Sequence, residues 1–219
     1  IVVDIAMTVL LLLLMAFELV GRTAHEWIGA GMFLLFILHH LLNWKWSKNL
    51  FRGRYTPFRI LQTSLAALVL LSMLGSMVSA VFISREVFAF LPVTGGRSFG
   101  RMLHMLAAYW GFVFLSLHLG LHWNMMLGMA GMLYKSPSRL RRMILRVAGG
   151  AIAVYGAYAF AARGIPDYLF LRTQFVFFDF EEPLIYFFLD YLAAMGLFVW
   201  IGHYLSKAVR HFQKGKAKG

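Results

Sequence analysis

The sequence contains no cysteine. That excludes disulfides, thiolate metal sites, iron–sulfur clusters and covalently attached c-type haem, so any metal has to be held by other side chains. Charge is scarce too: Asp, Glu, Lys and Arg make up 14% of the 219 residues, against 61% hydrophobic. A soluble domain carries about a quarter charged residues, so this composition belongs to a chain embedded in a bilayer. Also missing is any stretch that could form a separate soluble domain. Apolar runs of the roughly 20 residues a crossing needs fall at about 2–20, 26–44, 59–83, 102–128, 143–162 and 183–206. The expected fold is all-α: an integral membrane helical bundle of six transmembrane helices, forming one domain over 1–219. The first run is read as a helix and not a cleaved signal, because it is long, lacks a small-residue cleavage pattern and leads into a polar "GRTAHE" turn.

Acidic residues are absent from three of the connections. Lys45 to Arg59, Lys135 to Arg146 and Lys207 to Lys218 hold five Lys or Arg each, fifteen of the 21 in the chain, with no Asp or Glu among them. The alternate connections hold Arg22, Arg85, Arg97, Arg101, Arg163 and Arg172 together with Glu26, Glu86, Asp167, Asp179, Glu181 and Glu182. This is the positive-inside pattern, and it predicts both termini in the cytoplasm. The formal net charge of +12 is thereby a topology signal, and nucleic acid is not expected as a partner. Trp44, Trp46, Tyr55 and Tyr134 fall where the cytoplasmic aromatic belt should lie.

Histidine is what remains for chemistry. The stretch "HEWIGAGMFLLFILHH", 25–40, places His25 at the outer start of the second run and His39 and His40 near its cytoplasmic end. The fourth run repeats the step of 14 residues, from His104 to His118, with His122 one turn further. Fourteen positions at about 100° each fall about 40° short of four turns and rise about 21 Å, so both histidines of each helix share a face. The two helices run in the same direction. If those faces meet, His25 opposes His104 near the outside and His39 opposes His118 near the inside. Zinc needs about four ligands drawn together, whereas two opposed pairs, separated by most of the bilayer, suit two haem b groups, each with bis-histidine axial ligation between helices two and four. Filled axial positions favour electron transfer over oxygen binding. His25, His104, His39 and His118 are thus the expected metal ligands. His40 and His122 are left over: either could replace its neighbour as the inner ligand, bind a propionate, line a quinone pocket or belong to a third haem.

The twice-repeated H-x13-H resembles the di-haem core of cytochrome b in quinol-oxidising respiratory complexes. More closely, "TAHEW", "ILHHLLNWKW", "YTPFRILQT", "RMLHMLAAYWGF", "LHLGLHW" and "FDFEEP" resemble the bacterial flavinylation-associated cytochrome family across almost the whole chain. The resemblance implies a b-type cytochrome of the bacterial cytoplasmic membrane, working beside an extracytosolic flavoprotein with covalently bound FMN. No FMN-attachment domain is recognisable here, so the flavin is expected on the partner. The expected activity is electron transfer across the bilayer between a quinone pool and that partner. A bound menaquinone or ubiquinone is the expected second cofactor, and quinol oxidation or quinone reduction the only expected catalysis.

Haem propionates call for cations near the surface, where a guanidinium matches a carboxylate. Arg101, Arg97 and Arg22 are the outer candidates, with Lys45 and Lys48 inside, though all could equally snorkel. Gly29, Gly31 and Gly111 fit either a flat ring or plain helix packing. Quinol oxidation also needs a base, for which Glu181, Glu182 and Asp190 are the candidates, with Glu18 behind them. Glu181 and Glu182 could instead complement a helix dipole. Three rival readings share much of this pattern. One is a membrane-anchor cytochrome subunit of a larger dehydrogenase or reductase. Another is a haem or metal transporter, for which open ligation and broken helices in related halves would be expected. A purely structural anchor would leave the matched histidines without a reason.

Overall fold

A computed structural model describes residues 2–50, 52–93, 95–131 and 138–216. Among them the regular elements are all helices: α1 (Val2–Met15), α2 (Phe17–Leu42), α3 (Trp44–Lys48), α4 (Pro57–Ile83), α5 (Arg97–Gly131), α6 (Arg139–Ala162), α7 (Ile165–Leu169) and α8 (Leu184–Lys216). Five of these, α2, α4, α5, α6 and α8, are long and apolar enough to cross a membrane. Their apolar residues face outward as well as inward, with Leu34, Leu71 and Val154 exposed at 67%, 64% and 75%. In water such surfaces would be costly; against lipid tails they are not.

The first apolar run departs from the expected 2–20 span. Its helix α1 has 14 residues, about 21 Å at 1.5 Å per residue, short of the roughly 30 Å hydrocarbon layer. Ala16 (φ −92°, ψ 40°) breaks the helix, and Gly21 (φ 76°, ψ 165°) breaks it again inside α2. The Gly21 conformation is open to glycine and strained for a residue with a Cβ. The expected polar turn at "GRTAHE" thus shrinks to Gly21, and His25 sits within a helix that resumes at Arg22. Other helices outrun their predicted ends: α5 begins at Arg97, not 102, and α8 continues to Lys216, not 206. Hydropathy marks where a helix meets lipid, but backbone hydrogen bonding continues past that point at little cost. Two short helices, α3 and α7, occupy stretches expected as loop. Tyr134 and Lys135, placed by sequence in the cytoplasmic belt and basic stretch, lie outside the described residues, as does Lys218.

The helices gather into two compact units. The first comprises 1–54, 70–111 and 167–181, and the second 55–69, 112–166 and 182–219. In the first, α1 packs along α2, with Leu11, Met15, Ala16 and Met32 buried. The end of α4 meets α5 through small residues: a Cβ added at Gly75 would come within 3.2 Å of Ala107 Cβ, and one at Gly100 within 2.8 Å of Phe82 Cβ. The stretch after α7 in this unit leaves its rings bare, Phe175, Phe177 and Phe180 being 75%, 83% and 75% exposed. In the second unit α6 packs on α8. There a Cβ at Gly156 would run into the Ala193 carbonyl, and one at Gly202 would reach 2.5 Å from the Leu117 carbonyl of α5. Small residues that let backbones approach are the usual means of packing helices in lipid.

Candidate functional site

The first unit brings His25 of α2 and His104 of α5 together, their ring centroids 5.9 Å apart and their planes at 69°. Each ring is positioned by its own surroundings. Phe17 packs against His25 edge-on at 5.0 Å. Next to His25, the carboxylate of Glu26 accepts four hydrogen bonds from the turn after α4: Ser84 Oγ at 2.6 Å and the N–H groups of Arg85, Glu86 and Val87 at 3.0, 2.9 and 3.1 Å. Thr23 Oγ1 adds a bond to Glu86 at 3.4 Å. This clamp ties the start of α2 to the end of α4, and α4 in turn holds His104. Ser79 Oγ donates to the Ser76 carbonyl at 2.8 Å and lies 2.9 Å from His104 Nδ1. Since its one proton is used, Ser79 accepts from Nδ1–H, which leaves the lone pair of His104 on Nε2. His25 Nδ1 is a buried nitrogen without a hydrogen-bond partner.

Two imidazoles bonded at about 2 Å to opposite sides of one metal would place their ring centroids about 6 Å apart, close to the separation observed. A site built by protein alone is a different matter: among the described residues no three His, Cys, Asp or Glu gather into a metal-holding group. Two ligands suffice only where a macrocycle provides the rest. Among the described residues the pair does not make up a zinc site, and its ring separation is the one that two imidazoles on a single ion would have.

The predicted inner ligands are distributed between the units, His39 and His40 in the first and His118 and His122 in the second. His39 Nδ1 is 2.7 Å from Asp4 Oδ1 of α1, and its Nε2 is 3.5 Å from Asn43 Nδ2. His40 stands edge-on to Phe36 at 4.5 Å and borders a cavity of about 350 Å³ walled by Phe33, Phe36, Ile37, Trp44 and Leu74. In the second unit His118 and His122 have ring centroids 4.9 Å apart, and Gln62 Nε2 lies 3.4 Å from His122 Nε2.

Arg22 and Arg101 are exposed, each three residues ahead of its histidine and so about one turn away on the same helix. Arg97 is exposed at the start of α5, and Lys45 and Lys48 are exposed on α3. Around Gly31 an added Cβ would meet nothing within 4 Å, and at Gly29 only Leu14 at 3.9 Å, whereas at Gly111 it would meet Ser72 Cβ at 3.4 Å. Gly31 thus faces open space, and helix packing accounts for Gly111.

The carboxylates meet an arginine that the sequence had assigned only to a connection. Arg163 donates to both Glu182 oxygens at 2.6 and 2.5 Å and, through Nε, to Asp190 at 2.8 Å. Tyr155 OH donates to the other Asp190 oxygen at 2.5 Å. Hydrogen bonding to Glu182 first, then to Asp190, raises the pKa of Arg163 further above its ordinary value. Glu181 is exposed, its N–H donating to Asp179 at 2.9 Å, and Glu18 is exposed on α2.

Sequence reasoning missed several partners. Asp4 was the legible one, a lone carboxylate in an otherwise apolar helix. Ser79, Gln62 and Arg163 carry no local signal, because their partners are 25, 60 and 19 to 27 residues away. His203 of α8 was also passed over; it is buried, with a buried Nδ1 lacking a hydrogen-bond partner. Comparison with protein-family models, curated proteins and solved structures finds no match for this chain.

Proposed function

We propose that this chain is a di-haem b-type cytochrome that carries electrons across a bacterial cytoplasmic membrane, between a quinone pool and an extracytosolic redox partner. The partner expected from the sequence resemblance is a flavoprotein. One observation carries the reading: the close approach of His25 and His104 at 5.9 Å on two apolar helices, with the His104 lone pair directed to Nε2 by Ser79. In this reading α1 completes a sixth span with the turn that follows it, and the basic connections keep both termini in the cytoplasm.

His25 and His104 would hold the outer haem, and His39 and His118 the inner one. Haem would supply reversible one-electron chemistry when bound. The chain's own residues do the remainder. Glu26 and Ser79 hold the two outer imidazoles in place. Arg22 and Arg101, one turn outward, present guanidinium groups to propionates. His40 and its apolar cavity offer a place for a quinone ring. Glu182 and Asp190 already neutralise Arg163, so Glu181 is the better placed of the three carboxylates to accept a proton.

A reduced-minus-oxidised visible spectrum with a haem count tests this directly. Two low-spin haems per chain are expected, one lost with either His25→Ala or His104→Ala and the other with His118→Ala. A chain that stays colourless despite ample haem supply, or outer variants that each remove a different haem, refutes it.

A further inference from the structure

The second unit, 55–69, 112–166 and 182–219, has two carboxylates, Glu182 and Asp190, and both are taken up by Arg163 at the C-terminal end of α6. Arg146 precedes Arg163 by 17 residues on that helix, about 26 Å at 1.5 Å per residue. The far end of the unit is therefore basic, with no acid to answer it.

The packing of α6 on α8 decides which cations share that end. A Cβ at Gly156 would run into the Ala193 carbonyl, one at Gly196 would reach 2.6 Å from Ile152 Cγ2, and one at Gly149 would reach 3.8 Å from Trp200 Cδ1. The helices are thus antiparallel, with 156 facing 193, 152 facing 196 and 149 facing 200. Carried on at the same pace, the register sets Arg146 level with His203, Arg142 with Lys207 and Arg139 with Arg210. Arg210 lies over the Phe58 ring at 3.9 Å, which brings the start of α4 to the same end, and Lys207 Nζ sits 5.1 Å from the Tyr204 ring. These five cations are exposed, and none pairs with a carboxylate among the described residues. Like charges gathered in this way repel one another.

Apolar surface adjoins the charge. At about 100° per residue, Arg139, Arg142 and Arg146 fall within about 60° of one another around α6, and Leu140, Met143, Ile144 and Val147 fill the neighbouring arc of about 100°. All four apolar side chains are more than half exposed. Ser138 Oγ accepts from the Arg141 N–H at 3.3 Å, so the helix begins as an ordered turn here. A partner for this surface needs negative charge beside hydrocarbon, which is the make-up of an anionic phospholipid. A nucleic acid or an acidic peptide would leave the apolar arc bare. We propose that this end of the second unit, where the start of α6 meets the end of α8, binds an anionic phospholipid, with its phosphate between Arg142 and Arg146 and its acyl chains along the apolar arc. The site goes beyond electron transfer and does not depend on haem.

Native mass spectrometry tests this by counting the lipids kept by the full chain, released from micelles that hold equal amounts of dioleoylphosphatidylglycerol and dioleoylphosphatidylcholine. Two cations at about fivefold each should favour the anionic lipid by about 25-fold. Arg142→Gln with Arg146→Gln should remove most of that preference. Both side chains are exposed, so the double variant should fold, with an unchanged far-ultraviolet circular dichroism spectrum. Arg142→Lys with Arg146→Lys keeps the charge and should keep the preference. Arg85→Gln with Arg172→Gln lowers the net charge equally in the other unit and should keep it too. Equal retention of both lipids by the unaltered chain, a preference that survives the paired Gln changes at 142 and 146, or the same loss from the changes at 85 and 172 would overturn the proposal. So would displacement of the bound lipid by millimolar inorganic phosphate at matched ionic strength, which marks a site for the free anion.

Discussion

Replacing Arg163 by Gln removes the cation from a group of three charges and leaves Glu182 and Asp190 facing each other. Their side chains are 21% and 13% exposed, and that of Arg163 is 19%. Breaking a fully buried ion pair from one side costs about 3–5 kcal/mol. Residual exposure at this site screens part of that, so about 2–3 kcal/mol is expected, a shift of roughly 30- to 150-fold in the folding equilibrium. The loss comes from uncompensated carboxylates and not from the missing guanidinium. A triple variant, Arg163→Gln with Glu182→Gln and Asp190→Asn, should therefore recover to within about 1 kcal/mol of the starting chain. Unfolding by sodium dodecyl sulfate in dodecyl maltoside micelles, read by far-ultraviolet circular dichroism, measures both. The sign with pH also follows. A raised folded pKa gives stability that is fully present below the strongly alkaline range in which an unfolded arginine loses its proton and is lost only above it, so alkaline titration to pH 10 should leave this contribution untouched. A single variant within about 0.5 kcal/mol of the starting chain, the usual range of an exposed substitution, or a triple variant no better than the single, would refute the reasoning.

Gly156→Ala forces a methyl group into the Ala193 carbonyl and should cost about 1–3 kcal/mol by overpacking α6 against α8, seen as a lower thermal midpoint; Gly31→Ala, facing open space, is the control that should not move it. Glu26→Ala strips the acceptor from four donors, and hydrogen exchange at Arg85, Glu86 and Val87 should speed up by tenfold or more, matching about 1–3 kcal/mol for unpaired groups. Ser79→Ala should redistribute the His104 tautomer, which nitrogen-15 shifts of the labelled imidazole report directly; unchanged shifts would remove Ser79 from the site.

Much of the fold was legible because a bilayer imposes a length on apolar runs, and α2, α4, α5, α6 and α8 all appear where such runs lie. Their ends were not, since nothing in hydropathy halts a helix at a lipid boundary. The double break at Ala16 and Gly21 escaped as well: a single glycine between apolar and polar stretches has the same composition whether it ends a helix or bends one. In the site, the repeated step of 14 residues gave the expectation that His25 faces His104 if the two helix faces meet, and their rings do lie 5.9 Å apart. The same arithmetic says nothing about what steadies each ring. Asp4 and His39 are 35 residues apart, and only the packing of α1 on α2 makes them neighbours. Arg163 looked like a topology residue because its charge was counted along the chain, while its partners lie across a helix interface.

The bare rings of the segment after α7 bear on how the molecule behaves once extracted. Phe175, Phe177 and Phe180 are short-range adhesives, each wanting an oily neighbour at the level where tails give way to headgroups. A detergent belt that hugs only the spans leaves that collar wet. Clumping during purification should then follow these three side chains, and a disc of real lipid should cure it where a longer detergent chain does not.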